Sequence, residues 1–309
     1  YVIVTYSDKK LIFFIEDESH FRFVSKLFGY FLDKGANVLL LCLSLPFDAK
    51  EYKNKSLEIK ILSSDVEKIS ILKSLSGDLF ITTTPSLGSQ FFPKSKISPK
   101  SLRPKYLYLF HSLVSPNEMY IKNSFKNYDY IFTPSRVISE QIQPLIGRDC
   151  KVFDTGYLLF DTVSPFEYQT TKKNKALIAP TWGNEGVKEI VDNMKIIVSY
   201  LNKYDIDVVF RPHPMTQVED LQLGKSVEID LNRDLNNLHE YEILLTDYSG
   251  IALEYYYLTG KYVIFLNVPK KIKRKVGKEE VEFIEDKMRT IIGKSVDIKA
   301  LGDLSLPRS

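Results

Sequence analysis

The sequence has little with which to build a metal centre or a disulfide framework. Only two cysteines occur in 309 residues. Cys42 lies in an apolar run and Cys150 follows Arg148-Asp149, so neither has ligand spacing, and a reducing, cytoplasmic setting is expected. No apolar run approaches the roughly 20 residues of a membrane-spanning helix, and Val38 to Leu45 is strand-sized. No signal peptide is recognisable, and the chain opens on Tyr1 instead of Met, as a piece of a longer protein would. A formal net charge of only +3 argues against a nucleic-acid partner. Walker A, G-x-S-x-G and H-E-x-x-H patterns are absent. Asp205-Ile206-Asp207 has the form of a metal-binding D-x-D, but it starts a strand at the edge away from any ligand and reads as surface. No metal or other cofactor is therefore expected.

What is present is the composition of a soluble globular protein, long enough for two domains. Leu11 to Ile15 reads as a strand, followed by a polar turn and a helix carrying Phe21, Val24, Leu27, Phe28 and Phe31, which Gly35 ends. Strands are predicted at 38–43, 57–62, 79–82, 106–110, 130–133 and 151–154. This β-α-β rhythm points to a parallel sheet with helices on its faces. Residues 160–174 turn polar and read as a linker. A second series then begins: a strand at 176–179, a helix from about Val187 to Leu201, and strands at 206–210 and 227–229. The expected division is an acceptor-side domain over 1–163 and a nucleotide-donor domain over 164–309.

The second half is organised around Leu244-Leu245-Thr246-Asp247-Tyr248-Ser249-Gly250, which reads as a buried strand, a polar turn and a helix start. Asp247 to Ser249 supply oxygens that can cap the helix, and Gly250 permits close backbone approach. A helix N-terminus at the carboxyl end of a strand is a natural seat for phosphate. Glu254 lies too far into the helix to cap it and is in reach of ribose hydroxyls beside such a phosphate; the plain alternative is an ordinary turn with a solvated Glu254. Two basic stretches stand out, Lys94, Lys96, Lys100, Arg103 and Lys105, and then 270–275. Each alone reads as a solvated loop; together they suit an anionic membrane surface or polyanionic acceptor.

Of the four histidines, His20 and His239 read as structural or exposed. His111 follows the strand at 106–110, and His213 holds the equivalent place in Phe210-Arg211-Pro212-His213-Pro214, where the prolines restrict the backbone. An imidazole there can accept a hydroxyl proton or donate to phosphate, and Arg211 adds a permanent charge.

Five spaced segments resemble the CDP-glycerol glycerophosphotransferase family of teichoic acid and capsule polymer enzymes. They are His111-Ser112, Gly156-Tyr157 with Asp161, Ala179-Pro180-Thr181-Trp182, Arg211-Pro212-His213-Pro214, and Leu245 to Ser249 with Glu254. The resemblance covers roughly residues 105–267. It implies a GT-B-like fold, two Rossmann-type parallel-sheet domains facing a central cleft, and transfer of glycerol phosphate or a related polyol phosphate from a CDP-linked donor. It makes His111 the base for the acceptor hydroxyl, with His213 also catalytic. Arg211 and His213 would contact the donor pyrophosphate, Ser249 and Gly250 would seat phosphate, Glu254 would hold the ribose, and Thr181 and Asp247 would belong to the same donor-binding set. The acceptor would be a glycan or lipid-linked precursor, with the protein peripheral on the inner face of the cell membrane. The chain departs from the family pattern at Ser112-Leu113, at Leu158-Leu159-Phe160 and at Gly250, where donor tail and acceptor would lie. A nucleotide-sugar glycosyltransferase and an inactive GT-B glycan-binding module are the alternatives.

Overall fold

A computed structural model describes residues 8–48, 52, 55–89, 92, 97–116, 120–163, 174–217, 221–232, 234–269 and 283–306. The chain forms two compact units, one of Tyr1–Ser112 with Tyr120–Val163, the other of Leu113–Met119 with Ser164–Ser309. The short segment Leu113–Met119 thus departs from the expected continuous first domain.

The first unit is built on strands β1 (Lys10–Ile15), β2 (Asn37–Cys42), β3 (Leu57–Ile61), β4 (Leu79–Thr82), β5 (Lys105–Leu109), β6 (Tyr130–Thr133) and β7 (Lys151–Asp154). They form one parallel sheet in the order β3-β2-β1-β4-β5-β6-β7. The apolar runs of β1 and β5 are buried on both faces, as central parallel strands must be, while the edge strands β3 and β7 carry exposed polar residues. Its helices are α1 (Ser25–Asp33), α2 (Asp65–Ser74) and α3 (Arg136–Gln141). The aromatic face predicted for the first helix is split. Asp17 caps a 3-10 helix, Glu18–Phe23, before α1 begins, and Phe28 then packs on Phe13 of β1. That extra turn decides where His20 goes.

The second unit has β8 (Lys175–Ile178), β9 (Asp207–Phe210), β10 (Val227–Ile229), β11 (Ile243–Thr246), β12 (Val263–Leu266) and β13 (Gly293–Val296), all parallel in the order β10-β9-β8-β11-β12-β13. Its helices are α4 (Asn184–Asp192), α5 (Met194–Asn202), α6 (Ile251–Thr259) and α7 (Ile284–Ile291). The single helix predicted over Val187 to Leu201 is two helices. Asn193, whose side-chain amide bonds the Glu189 carbonyl, interrupts it, the habit of a residue that competes for backbone partners. In both sheets the chain winds outward one way, returns, and winds the other way. The reversal falls between β1 and β4 in the first and between β8 and β11 in the second. Open α/β sheets take their ligands at the carboxyl ends of strands at such a reversal.

One expected surface feature is interior. Arg103 is buried, donates to Asp129 Oδ2 at 2.7 Å and lies 3.9 Å over the Tyr106 ring, while Asp129 also accepts from the Tyr106 amide. Its charge is matched inside the protein and is not part of a basic loop. Lys94, Lys96 and the basic run 270–275, like most of the predicted linker, lie outside the described residues. Among the described residues no helix is long and apolar enough to cross a membrane.

Candidate functional site

At the reversal in the second unit, the chain leaves β8 as Ala179-Pro180-Thr181-Trp182 and leaves β11 as Asp247-Tyr248-Ser249-Gly250. The two exits are tied together. Thr246 Oγ1 donates to the Ala179 carbonyl at 2.6 Å, and the Thr181 amide donates to Asp247 Oδ1 at 2.8 Å. Asp247 is 1% exposed, and burial raises its carboxyl above the usual range against the pull of neighbouring amides. It clasps the two exits together; the sequence named it as a candidate helix cap and donor contact. The residue at the start of α6 is Gly250, with no side-chain cap, and α4 likewise begins after Gly183 without one. Two nine-residue helices thus start at this reversal with N-termini that no side chain closes, the arrangement that favours phosphate. Ser249 and Gly250 are partly exposed there, and Glu254 is half-buried in the first turn of α6.

His213 sits beyond the end of β9. Its Nδ1 accepts from the Met215 amide at 3.1 Å, so in the neutral ring the proton resides on Nε2, and the ring lies 6.3 Å from that of Trp182. Its neighbour Arg211 has partners that the sequence did not show. It is buried and donates twice to Asp230 Oδ2, at 3.0 and 2.6 Å, and to Asn237 Oδ1 at 2.8 Å. Burial disfavours the charged Asp230, but the bonds from Arg211 and Tyr241 outweigh it and hold the carboxyl below its usual range. Arg211 therefore braces the exit of β9 and is already engaged by a carboxylate.

A residue that sequence reasoning missed is Arg289 of α7. It is buried beneath the exit of β11, with Nη1 donating to the Asp247 carbonyl at 3.1 Å, Nη2 to Asn267 Oδ1 at 2.7 Å, and the guanidinium 4.4 Å over the Tyr248 ring. Nothing local marks it: α7 and β13 are a charged helix and a short polar strand that the apolar periodicity does not announce. The start of α7 is capped from far away. The Ile284 amide donates to Ser115 Oγ at 2.7 Å, while Ser115 donates through N and Oγ to the two Glu285 oxygens at 2.6 Å each.

In the first unit the reversal gathers Glu16 after β1, Thr83 and Thr84 after β4, and His111 after β5. His20 joins them from the 3-10 helix, its ring 4.7 Å from that of His111 and inclined by 30°. Its Nδ1 is 3.2 Å from Thr83 Oγ1 and 3.6 Å from Glu16 Oε1. His111 has Nδ1 3.4 Å from the Tyr108 hydroxyl, and its carbonyl accepts from Tyr157 at 3.3 Å. Protein packed around the partly exposed His111, with His20 beside it, pushes its imidazole down to about 3. Burial lowers His20 as well and lifts Glu16 from 4.5 to about 7. The Thr84 hydroxyl pulls Glu16 the other way without closing a hydrogen bond. Asp161 is exposed on a 3-10 helix, and His239 lies on another in the second unit.

The sequence model of the CDP-glycerol:poly(glycerophosphate) glycerophosphotransferase family matches residues 113–268. The chain belongs to this family. The matched segment contains Thr181, Arg211, His213, Asp247, Ser249, Gly250 and Glu254, begins two residues after His111, and leaves Glu16, His20 and Arg289 outside. No individual curated protein matches the chain. Among solved structures, a histidine-to-asparagine variant of the wall teichoic acid polymerase TagF with CDPG is similar at a TM-score of 0.51 and 14% identity, over 85% of this chain and 70% of that one. The UDP-GlcNAc 2-epimerase from Methanocaldococcus jannaschii gives 0.56 at 14% identity, over 94% and 90%. The S. aureus MnaA–UDP structure gives 0.57 at 12%, over 96% and 86%. At such identities the likeness is one of fold, and the fold is GT-B-like.

Proposed function

We propose that the protein transfers glycerol phosphate, or a related polyol phosphate, from a CDP-linked donor to a hydroxyl of a cell-surface glycan or its lipid-linked precursor. The observation that carries this reading is the reversal in the second unit, where two helix N-termini without side-chain caps and the Nε2 proton of His213 are held within the segment matched by the family model. Phosphate seated at Ser249 and Gly250 gains from the α6 dipole without any reorganisation, since the clasp between Thr181 and Asp247 already fixes the loop. Glu254, in the first turn of α6, would take the ribose hydroxyls. Arg211 contributes by bracing the β9 exit that carries His213, and Arg289 by supporting the loop from beneath.

The acceptor oxygen would attack the β-phosphorus of the donor as its proton passes to a base in the first unit, and CMP would leave. His111 is neutral at physiological pH, as a base must be, and an arriving phosphoryl group would raise its affinity for the proton. The test is release of CMP from CDP-glycerol and CDP-ribitol by the purified chain, dependent on an added glycan or lipid-linked acceptor, with the product linkage identified. Turnover of a UDP-sugar to a glycoside in place of a phosphodiester would replace this reading with glycosyl transfer, and nucleotide binding without turnover would leave a binding module.

A further inference from the structure

The first unit contains more acid–base chemistry than one histidine requires. Three carboxyl ends of adjacent strands, β1, β4 and β5, meet at the reversal of the sheet, and each delivers a polar residue. Glu16 Oε1 lies 3.6 Å from His20 Nδ1, and the His20 ring lies 4.7 Å from that of His111. Glu16 Oε2 is buried and finds no hydrogen-bond partner among the described residues, and neither does Thr84 Oγ1 beside it. A buried carboxylate oxygen without a donor is costly unless a ligand or a proton satisfies it. Here it stands where an open α/β sheet takes its ligand.

We infer that Glu16, His20 and His111 act as one acid–base cluster, and that Glu16 is the group in it that finally takes the proton of the acceptor hydroxyl. This rests on the transfer reading above and extends it to the acceptor side. As the acceptor oxygen forms its bond to the donor β-phosphorus, the P–O bond to the CMP phosphate breaks and CMP leaves with that electron pair. The hydroxyl proton moves into the cluster and passes to water after the product departs. His20, which touches Glu16 through Nδ1 and stacks toward His111, is the positioning residue.

The protonation balance favours the carboxylate. With Glu16 raised to about 7 and His111 lowered to about 3, a proton entering the cluster rests more stably on Glu16 than on the imidazole. The charged and titratable groups facing Glu16 are Asp17 in its own turn and His20 from the 3-10 helix; His111, past the end of β5, lies on the far side of His20, and Arg22 acts on the two imidazoles. Tyr108, Tyr120 and Tyr128 also face it and are all raised further above neutrality, so they stay protonated. Glu16 is the carboxyl of the cluster that burial lifts into the neutral range.

Single-turnover transfer from CDP-glycerol, measured from pH 5.5 to 9 in the full chain, should rise with pH to a plateau with its midpoint near 7. Glu16→Gln should lower the plateau about a hundred- to ten-thousand-fold and abolish the rise, with CDP affinity by calorimetry unchanged within about twofold. His20→Asn should move the midpoint and leave CDP affinity alone. Glu16→Gln that keeps the wild-type plateau and pH limb overturns the inference while leaving the transfer reading intact. A carboxyl-labelled spectrum, which needs no turnover, gives an independent answer. A Glu16 carboxyl that titrates near 7 and shifts in His20→Asn supports the cluster, and one that titrates below 5 overturns it. A wild-type chain inert with every CDP-linked donor would sink the transfer reading and the catalytic role together, with the spectrum still reporting whether the cluster exists.

Discussion

At the scale of single residues, the two strand-exit histidines differ in what holds them, and the difference is measurable. His213 has its Nδ1 occupied by the Met215 amide, which leaves Nε2–H as a donor; His111 is desolvated, neutral and set against His20. His213→Ala should therefore weaken CDP binding and slow transfer together. His111→Ala should lower turnover by about a hundred- to ten-thousand-fold with CDP affinity nearly intact. Calorimetry with CDP beside single-turnover rates separates them, and full turnover in His111→Ala would remove it from the proton path. That each histidine lies just past the end of a strand was readable from the apolar runs before them, residues 106–110 for His111 and the run ending at Phe210 for His213. His20 was not readable in this way: it sits in a helical pattern, and only the 3-10 turn before α1 carries it to His111, a residue far along the chain and beyond any local signal. Arg211 was legible as a charge but not as a committed one, because Asp230 and Asn237 are brought to it by the fold.

At the scale of elements, strands announced themselves where they are central and buried, and stayed silent where they are not. The apolar runs of β1, β5, β8 and β11 lie within a residue or two of their predicted bounds. β13, with the sequence Gly-Lys-Ser-Val at the sheet edge, has no apolar period to read, and α7 before it is highly charged. What fixes β13 is close approach. A Cβ at Gly293 would lie 2.1 Å from the Val263 carbonyl oxygen and 2.8 Å from the Phe265 ring, so no side chain fits without moving β12. Gly293→Ala should destabilise the second unit by about 1–3 kcal/mol, as overpacking does. Because Arg289 and its partner Ser295 flank this junction, the same change should also weaken CDP binding. Denaturant melts of the variant with and without CDP would check both, and an unchanged midpoint would show that β12 and β13 can part at no expense.

At the scale of the whole molecule, the chain passes between its two units three times, at 112/113, 119/120 and 163/164, and the middle visit is only Leu113–Met119. Ser115 on that visit supplies the cap that α7 lacks locally, and Glu285 returns both its oxygens to Ser115. The molecule is consequently laced. A protease site engineered at the Val163–Ser164 bond should yield two fragments that still elute together under native conditions, since the first fragment retains a strap folded into the body of the second. Ser115→Ala, which takes the hydroxyl away from Glu285 Oε2 and from the Ile284 amide while the backbone amide still donates to Glu285 Oε1, should let the nicked halves come apart at lower denaturant than the nicked parent, and an unchanged denaturant midpoint would show that the lacing carries no load. A duplicated or exchanged second unit would have to bring that seven-residue strap with it from the middle of the first, so swaps of the two halves between relatives should succeed only when the cut follows the lace and not the linker.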